Sequence, residues 1–154
     1  MHYLDHAATA PVPEAVAEAV KNELTAGWAN PSSQYAIGRE AAERVASYRA
    51  TIAKALGGKA ERLYFTSCGT ESDNWAIRLA LYQNRRVGKH IITTAIEHSA
   101  VRALCKELQG SGYEVTMLAP DKDGVITAEQ VAEALREDTA LVSMMLVNNE
   151  LGTI

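Results

Sequence analysis

The sequence predicts an α/β domain built on a parallel sheet, and three observations predict it. From residue 62 onward, short apolar runs alternate with longer amphipathic ones in the order strand–helix–strand–helix–strand–helix–strand, the alternation of parallel α/β sheets. The run "ALVSMMLV" at 140–147 is continuously apolar, as expected of a strand buried on both faces. The composition is globular: 154 residues, 47% hydrophobic and 22% charged, enough to bury a core and too apolar for disorder.

Each element has its own warrant. Residues 1–12 read as an irregular or short extended arm. Pro13 suits a first helical turn, and "EAVAEAVKNELTAG" then repeats Val16, Val20 and Leu24 at four-residue intervals before Gly27 ends the helix. "WANPSSQYAIG" is loop, because Asn-Pro-Ser-Ser clusters turn formers. Gly38 to Leu56 is the clearest helix, with Ala41, Val45, Tyr48, Ile52 and Leu56 at spacings of three and four. Gly57-Gly58 stops it.

"RLYFTS" (62–67) is expected as a short strand, followed by a helix from about Glu71 to Asn84 with Trp75, Leu79 and Tyr82 on one side. "HIITTA" (90–95) is the next strand. A helix over 99–109 carries Val101, Leu104 and Leu108, and "YEVTMLA" (113–119) is a strand. After the "DKDG" turn, Thr127 caps a helix with Glu129 and Gln130 in its first turn and Val131 and Leu135 on its apolar side.

Charge and composition exclude several classes. The formal net charge is −4 with no basic block, so nucleic acid is not the expected partner. No apolar run approaches the roughly 20 residues that span a bilayer, and the N-terminus lacks the pattern of a signal peptide. Neither a membrane nor a secreted setting is expected, and the cytoplasm is. Cys68 and Cys105 are too few for a disulfide framework or a zinc site, and no metal is expected.

Ligands of open parallel sheets bind beyond the carboxyl ends of the strands, and three polar clusters sit at such ends: 66–72, 95–99 and 148–152. In "TSCGTESDN", Gly69 would let backbone approach an anion, with the Thr70 and Ser72 hydroxyls as further donors. Equally, Thr70 or Ser67 caps a helix and Glu71 answers its dipole. In "AIEHSAV", His98 could stack on an aromatic ring or move a proton, or Glu97 and Ser99 cap the helix and His98 is a solvated loop residue. In "VNNELG", Asn148 and Asn149 could bond a ligand's ring substituents or satisfy a turn that Gly152 announces. Together the three clusters fit a phosphorylated aromatic ligand.

The motifs "YLDHAATAPV", "NPSSQYAIGREA", "FTSCGTESDN", "EHSAV" and "VNNELGTI", in this order and at these separations, resemble the cysteine desulfurases. These are pyridoxal-phosphate enzymes of the class V aminotransferase family, and the resemblance covers essentially the whole chain. It implies a fold-type I transferase, of which residues 1–154 form the N-terminal part of the large cofactor-binding domain. The region of the catalytic lysine and the small C-terminal domain are then absent, and the segment alone is expected to be inactive.

The implied activity removes sulfur from L-cysteine, giving L-alanine and an enzyme persulfide for iron–sulfur cluster or thiolated-nucleoside synthesis. By resemblance, Gly69 and Thr70 hold the phosphate of pyridoxal 5'-phosphate, and His98 stacks on its ring and assists proton transfers. Asn149 bonds the cofactor near its ring hydroxyl. Asn30, Ala8 and Thr9 lie near the substrate entrance. A homodimer and a sulfur-acceptor protein are the implied partners.

The family's serine-x-histidine-lysine stretch is not in this sequence. Lys21, Lys54, Lys59, Lys89, Lys106 and Lys122 lie away from the three clusters. Cys68 reads as a small residue filling tight space before Gly69, and Cys105 as a buried helix residue. Two other readings stay open: a related lyase or transaminase with another substrate, and a non-catalytic module that binds a phosphorylated ligand or a relative.

Overall fold

The structure is a computed structural model describing residues 2–154. It divides into two compact units, one ending at Phe65 and one running from Thr66 to Ile154.

In the first unit, α1 (Glu14–Ala26) starts behind Pro13, whose fixed φ of −57° precedes the first turn. It ends as Gly27 donates its N–H to the Glu23 carbonyl at 3.0 Å. The second helix, α2 (Ala36–Ala55), buries only Gly38, Ala41 and Ala53. A Cβ on Gly38 would run into the Ser33 backbone, so this close approach requires the glycine. Between the helices, Val16, Val20, Leu24, Tyr48 and Ile52 line an apolar groove with Phe65. The Tyr48 hydroxyl donates to the Glu23 carboxylate at 2.7 Å across it.

Both helices match the sequence reading, but their apolar stripes stay largely open. The strand expected at 62–67 does not form. Ala60–Arg62 make a 3-10 turn, and residues 63–66 have no regular structure. Leu63 is extended (φ −102°, ψ 125°), yet no described strand lies beside it. An apolar β-prone run is a strand only when a neighbour completes its ladder.

The second unit is the expected parallel α/β arrangement. Its elements are α3 (Gly69–Gln83), β1 (His90–Thr94), α4 (Ser99–Gly110), β2 (Glu114–Leu118), α5 (Ala128–Ala134) and β3 (Thr139–Val142). Both pairings are parallel and the strand order is β2-β1-β3. All five residues of central β1 are buried. Ile91 joins Ile77 and Leu81 of α3, Val101, Leu104, Cys105 and Leu108 of α4, and Ala140 of β3 in one core. Full burial of a side chain such as Ile91 contributes about 1.5–3 kcal/mol.

His90 is fully buried, and its ring joins all three strands. Nδ1 lies 2.8 Å from the Thr139 hydroxyl and Nε2 2.8 Å from that of Thr116. Thr127 caps α5 as expected, its hydroxyl accepting the Gln130 N–H while Gln130 reaches back to the Thr127 N–H.

On α3 the buried side chains are Ile77 and Leu81, whereas Trp75, Leu79 and Tyr82, spaced along one side as expected, lie exposed. Three-to-four spacing identifies a stripe without saying which of two adjoining stripes meets the sheet. The last strand covers Thr139–Val142 rather than 140–147, and Met144, Leu146 and Val147 are exposed beyond it. Of its four residues only Ala140 is buried and Val142 is exposed, so it is not buried on both faces.

Candidate functional site

The chain passes from β1 to β2 on one side, then returns to place β3 on the other side of β1. Such a reversal opens a crevice outside the carboxyl ends of β1 and β3. A cavity of about 400 Å³ lies there, between residues 95–99, Arg102 and residues 148–151. Two of the three polar clusters, and His98 with Asn149, therefore line one cavity.

His98 is exposed and is itself the N-cap of α4. Its Nδ1 accepts the Ala100 N–H at 3.2 Å. In the neutral ring that leaves the proton on Nε2. The cap holds one edge of the imidazole and leaves Nε2 free to meet a ligand. Glu97 does not cap α4, as one reading of the sequence allowed. It is buried, and its Oε1 accepts from the Thr94 hydroxyl and the Met145 N–H, each at 2.9 Å.

The two asparagines divide the roles that the sequence left open. Asn148 is buried and satisfies the turn: its Oδ1 accepts the N–H groups of Glu150 (2.9 Å) and Leu151 (2.8 Å). Its Nδ2 donates to the Ile96 carbonyl at 2.8 Å. Gly152, at φ 73°, closes that turn with its N–H on the Asn148 carbonyl, a conformation favouring glycine. Asn149 is exposed on the cavity, and its side chain has no hydrogen-bond partner among the described residues.

Gly69 and Thr70 open α3 in the third cluster. Neither lines the larger cavity, but Asp73 and Ala76, one turn on, line a second one of about 230 Å³ with Glu97, His98 and Ser143. His98 thus lines both cavities, with Asp73 of α3 in one and Asn149 in the other. Neither Thr70 nor Ser67 caps α3. The N-cap is Cys68, without a side-chain cap bond, while the Glu71 carboxylate accepts from Ser67 N–H (2.6 Å) and Oγ (2.8 Å). Those two bonds hold the Glu71 carboxyl below the usual carboxylate range.

Cys68 is exposed, so it does not fill tight space as expected, whereas Cys105 is buried. The Glu71 amide, then the Ser67 hydroxyl, lower the Cys68 thiol pKa. Burial raises that of Cys105.

Gly69 gives a physical test of what the site can hold. Its φ is not positive, and a Cβ there would meet nothing within 4 Å. The fold itself makes no demand for glycine at this position. The Thr70 hydroxyl, without a hydrogen-bond partner among the described residues, and the helix-starting amides suit an anion brought close to that open backbone. With the exposed His98 ring and the free Asn149 amide, the residues present fit a phosphorylated aromatic group. Neither cavity is lined by a lysine.

The sequence reading missed Arg102, on the first turn of α4 after His98, and the supporting roles of Glu97 and Asn148. Four-residue spacing from His98 could have flagged Arg102. The other two depend on contacts 48 and 52 residues apart.

The parallel sheet with a crevice at its strand ends places the chain in the α/β class of proteins. The aminotransferase class-V family pattern matches residues 2–154, and the chain belongs to that family. It is 47% identical over 152 residues to the cysteine desulfurase IscS of Methanosarcina thermophila, covering 99% of this chain and 38% of that protein. It is 46% identical to a putative cysteine desulfurase IscS 1 of Bacillus subtilis, covering 99% and 40%. Among solved structures, a NifS-like protein superposes with a TM-score of 0.92 at 37% identity, covering 97% of this chain and 41% of that one. SspA in complex with cysteine gives 0.91 at 38% identity, covering 100% and 44%. The chain thus spans about two fifths of the length of the curated relatives it matches.

Proposed function

We propose that this chain supplies the first part of the cofactor site of a pyridoxal-phosphate-dependent cysteine desulfurase. The observation that carries the reading is the meeting of His98 and Asn149 on one crevice at the ends of β1 and β3, with Asp73, one turn into α3, sharing a second cavity with His98. The similarity to proteins named cysteine desulfurase, and to a solved relative in complex with cysteine, supports the choice of substrate.

In the proposed reaction the C–S bond of L-cysteine breaks and its sulfur forms an S–S bond to an enzyme thiol. The carbon takes a proton, so the products are L-alanine and an enzyme persulfide. Pyridoxal phosphate, when bound, supplies the electron sink for this cleavage.

The residues of this chain bind, orient and move protons. The amides at Gly69 and Thr70, with the Thr70 hydroxyl, bind the phosphate. The His98 ring stacks on the aromatic group, and its Nε2 carries the mobile proton while Nδ1 is fixed by Ala100. The Asn149 amide orients the ring by bonding its substituent. The lysine and the sulfur-accepting thiol come from outside these residues, and the 154 residues alone do not turn over. A cytoplasmic homodimer that passes sulfur to an acceptor protein, for iron–sulfur cluster or thiolated-nucleoside synthesis, completes the proposal.

Product identity tests it. The protein isolated from its own cell, given L-cysteine and a thiol reductant, is expected to release alanine and sulfide in equal amounts. A different product, or turnover of another amino acid in preference, would place it among the family's other lyases or transaminases.

A further inference from the structure

Two buried side chains connect the loops that carry His98 and Asn149, and they do so reciprocally. Glu97, from the loop after β1, accepts the N–H of Met145 in the segment after β3 at 2.9 Å. Asn148, from the loop after β3, donates to the carbonyl of Ile96 in the loop after β1 at 2.8 Å. Each side chain is also tied within its own loop. The Thr94 hydroxyl at the end of β1 donates to Glu97 Oε1 at 2.9 Å. Asn148 Oδ1 takes the amides of Glu150 and Leu151.

Glu97 is 7% and Asn148 6% exposed, so both sets of bonds lie out of water, where losing one partner costs most. The two polar residues immediately following, His98 and Asn149, are the exposed ones. In each loop a buried polar side chain adjoins an exposed one that faces the cavity.

We propose that Glu97 and Asn148 are positioning residues that act as one cross-brace, setting the placement of His98 against Asn149. Neither side chain transfers a proton or bonds the cofactor in this assignment. The brace serves the desulfurase reading, because ring stacking and ring-substituent bonding require those two loops to keep a fixed separation. Misplacement by about 1 Å can cost on the order of a hundredfold in rate.

The test has two arms. The first follows amide hydrogen exchange in this chain and needs no substrate. Glu97→Ala is expected to speed exchange at Met145, which loses its acceptor. A cooperative brace also speeds exchange about tenfold or more at Glu150 and Leu151, whose own acceptor on Asn148 is untouched. Asn148→Ala removes the donor to Ile96 and leaves Glu97 untouched, so it serves as the second variant should Glu97→Ala fail to fold. In it the Met145 amide is expected to exchange faster. Unchanged exchange at these distant amides in either folded variant overturns the proposal.

The second arm measures desulfuration by the intact holoenzyme. Glu97→Ala is expected to lower kcat about tenfold or more with KM for L-cysteine changed less than about twofold. Glu97→Gln, which retains the accepting oxygen, restores most of it. Adding Asn148→Ala to Glu97→Ala costs little more, because a broken brace cannot be broken again. Multiplicative losses, or no rescue by glutamine, overturn the proposal. Wild-type protein that makes no alanine from cysteine refutes the desulfurase reading instead, while the exchange arm still decides the brace.

Discussion

The two units use amphipathic helices to opposite effect. In the second, α4 turns Val101, Leu104, Cys105 and Leu108 into the core beside Ile91. In the first, α1 has an equally regular Val16, Val20 and Leu24 stripe and buries no side chain at all. Hydrophobic periodicity therefore specifies that a helix forms and which face is apolar, while burial depends on a second surface being present. Only the second unit has that surface, a sheet whose central strand is wholly buried. The same unit holds all four residues assigned to the cofactor, on loops fixed by β1, β3 and the start of α3.

This contrast predicts where substitutions matter. The largest effect is expected from His98→Ala in the intact protein. Loss of a positioned proton-transfer group lowers kcat on the order of 10²–10⁴-fold, read as alanine formed from L-cysteine. Undiminished turnover would remove the crevice from the chemistry.

Next comes the core. Ile91→Ala removes a fully buried side chain and is expected to destabilise the chain by about 2–5 kcal/mol, measured by urea denaturation.

A smaller effect separates the two cysteines. Hydrogen bonding lowers the pKa of exposed Cys68, and burial raises that of Cys105. A lowered thiol pKa leaves more thiolate at any given pH below it. Iodoacetamide at neutral pH is therefore expected to label Cys68 first, with Cys105 reacting only at higher pH or on unfolding. Peptide mass mapping reads the order, and faster labelling of Cys105 would contradict it.

The smallest effect belongs to the first unit. Val20→Ala on the open stripe of α1 is expected to change the chain's stability by no more than about 0.5 kcal/mol. A loss comparable to that of Ile91→Ala would erase the difference between the units.

Local chemistry was legible wherever it sufficed to determine structure. The β1, α4 and β2 boundaries follow from period and punctuation, and the Thr127 cap from its own four residues. The strand at 62–67 and the length of the last strand were not legible, because both depend on neighbouring strands rather than on their own apolar runs. At the site, the resemblance singled out His98 and Asn149, which share a cavity. Local sequence could not separate Asn148 from Asn149, since adjacent identical amides differ only in which one turns inward. Glu97 read as a cap because its partner Met145 is 48 residues away.

The most direct test of the central assignment is a titration of the isotope-labelled chain with pyridoxal phosphate, followed amide by amide by NMR. Shifts centred on Gly69, Thr70, Glu71, His98 and Asn149 are expected. Shifts confined to residues up to Phe65, or no saturable shift at the three loop ends, would contradict that assignment.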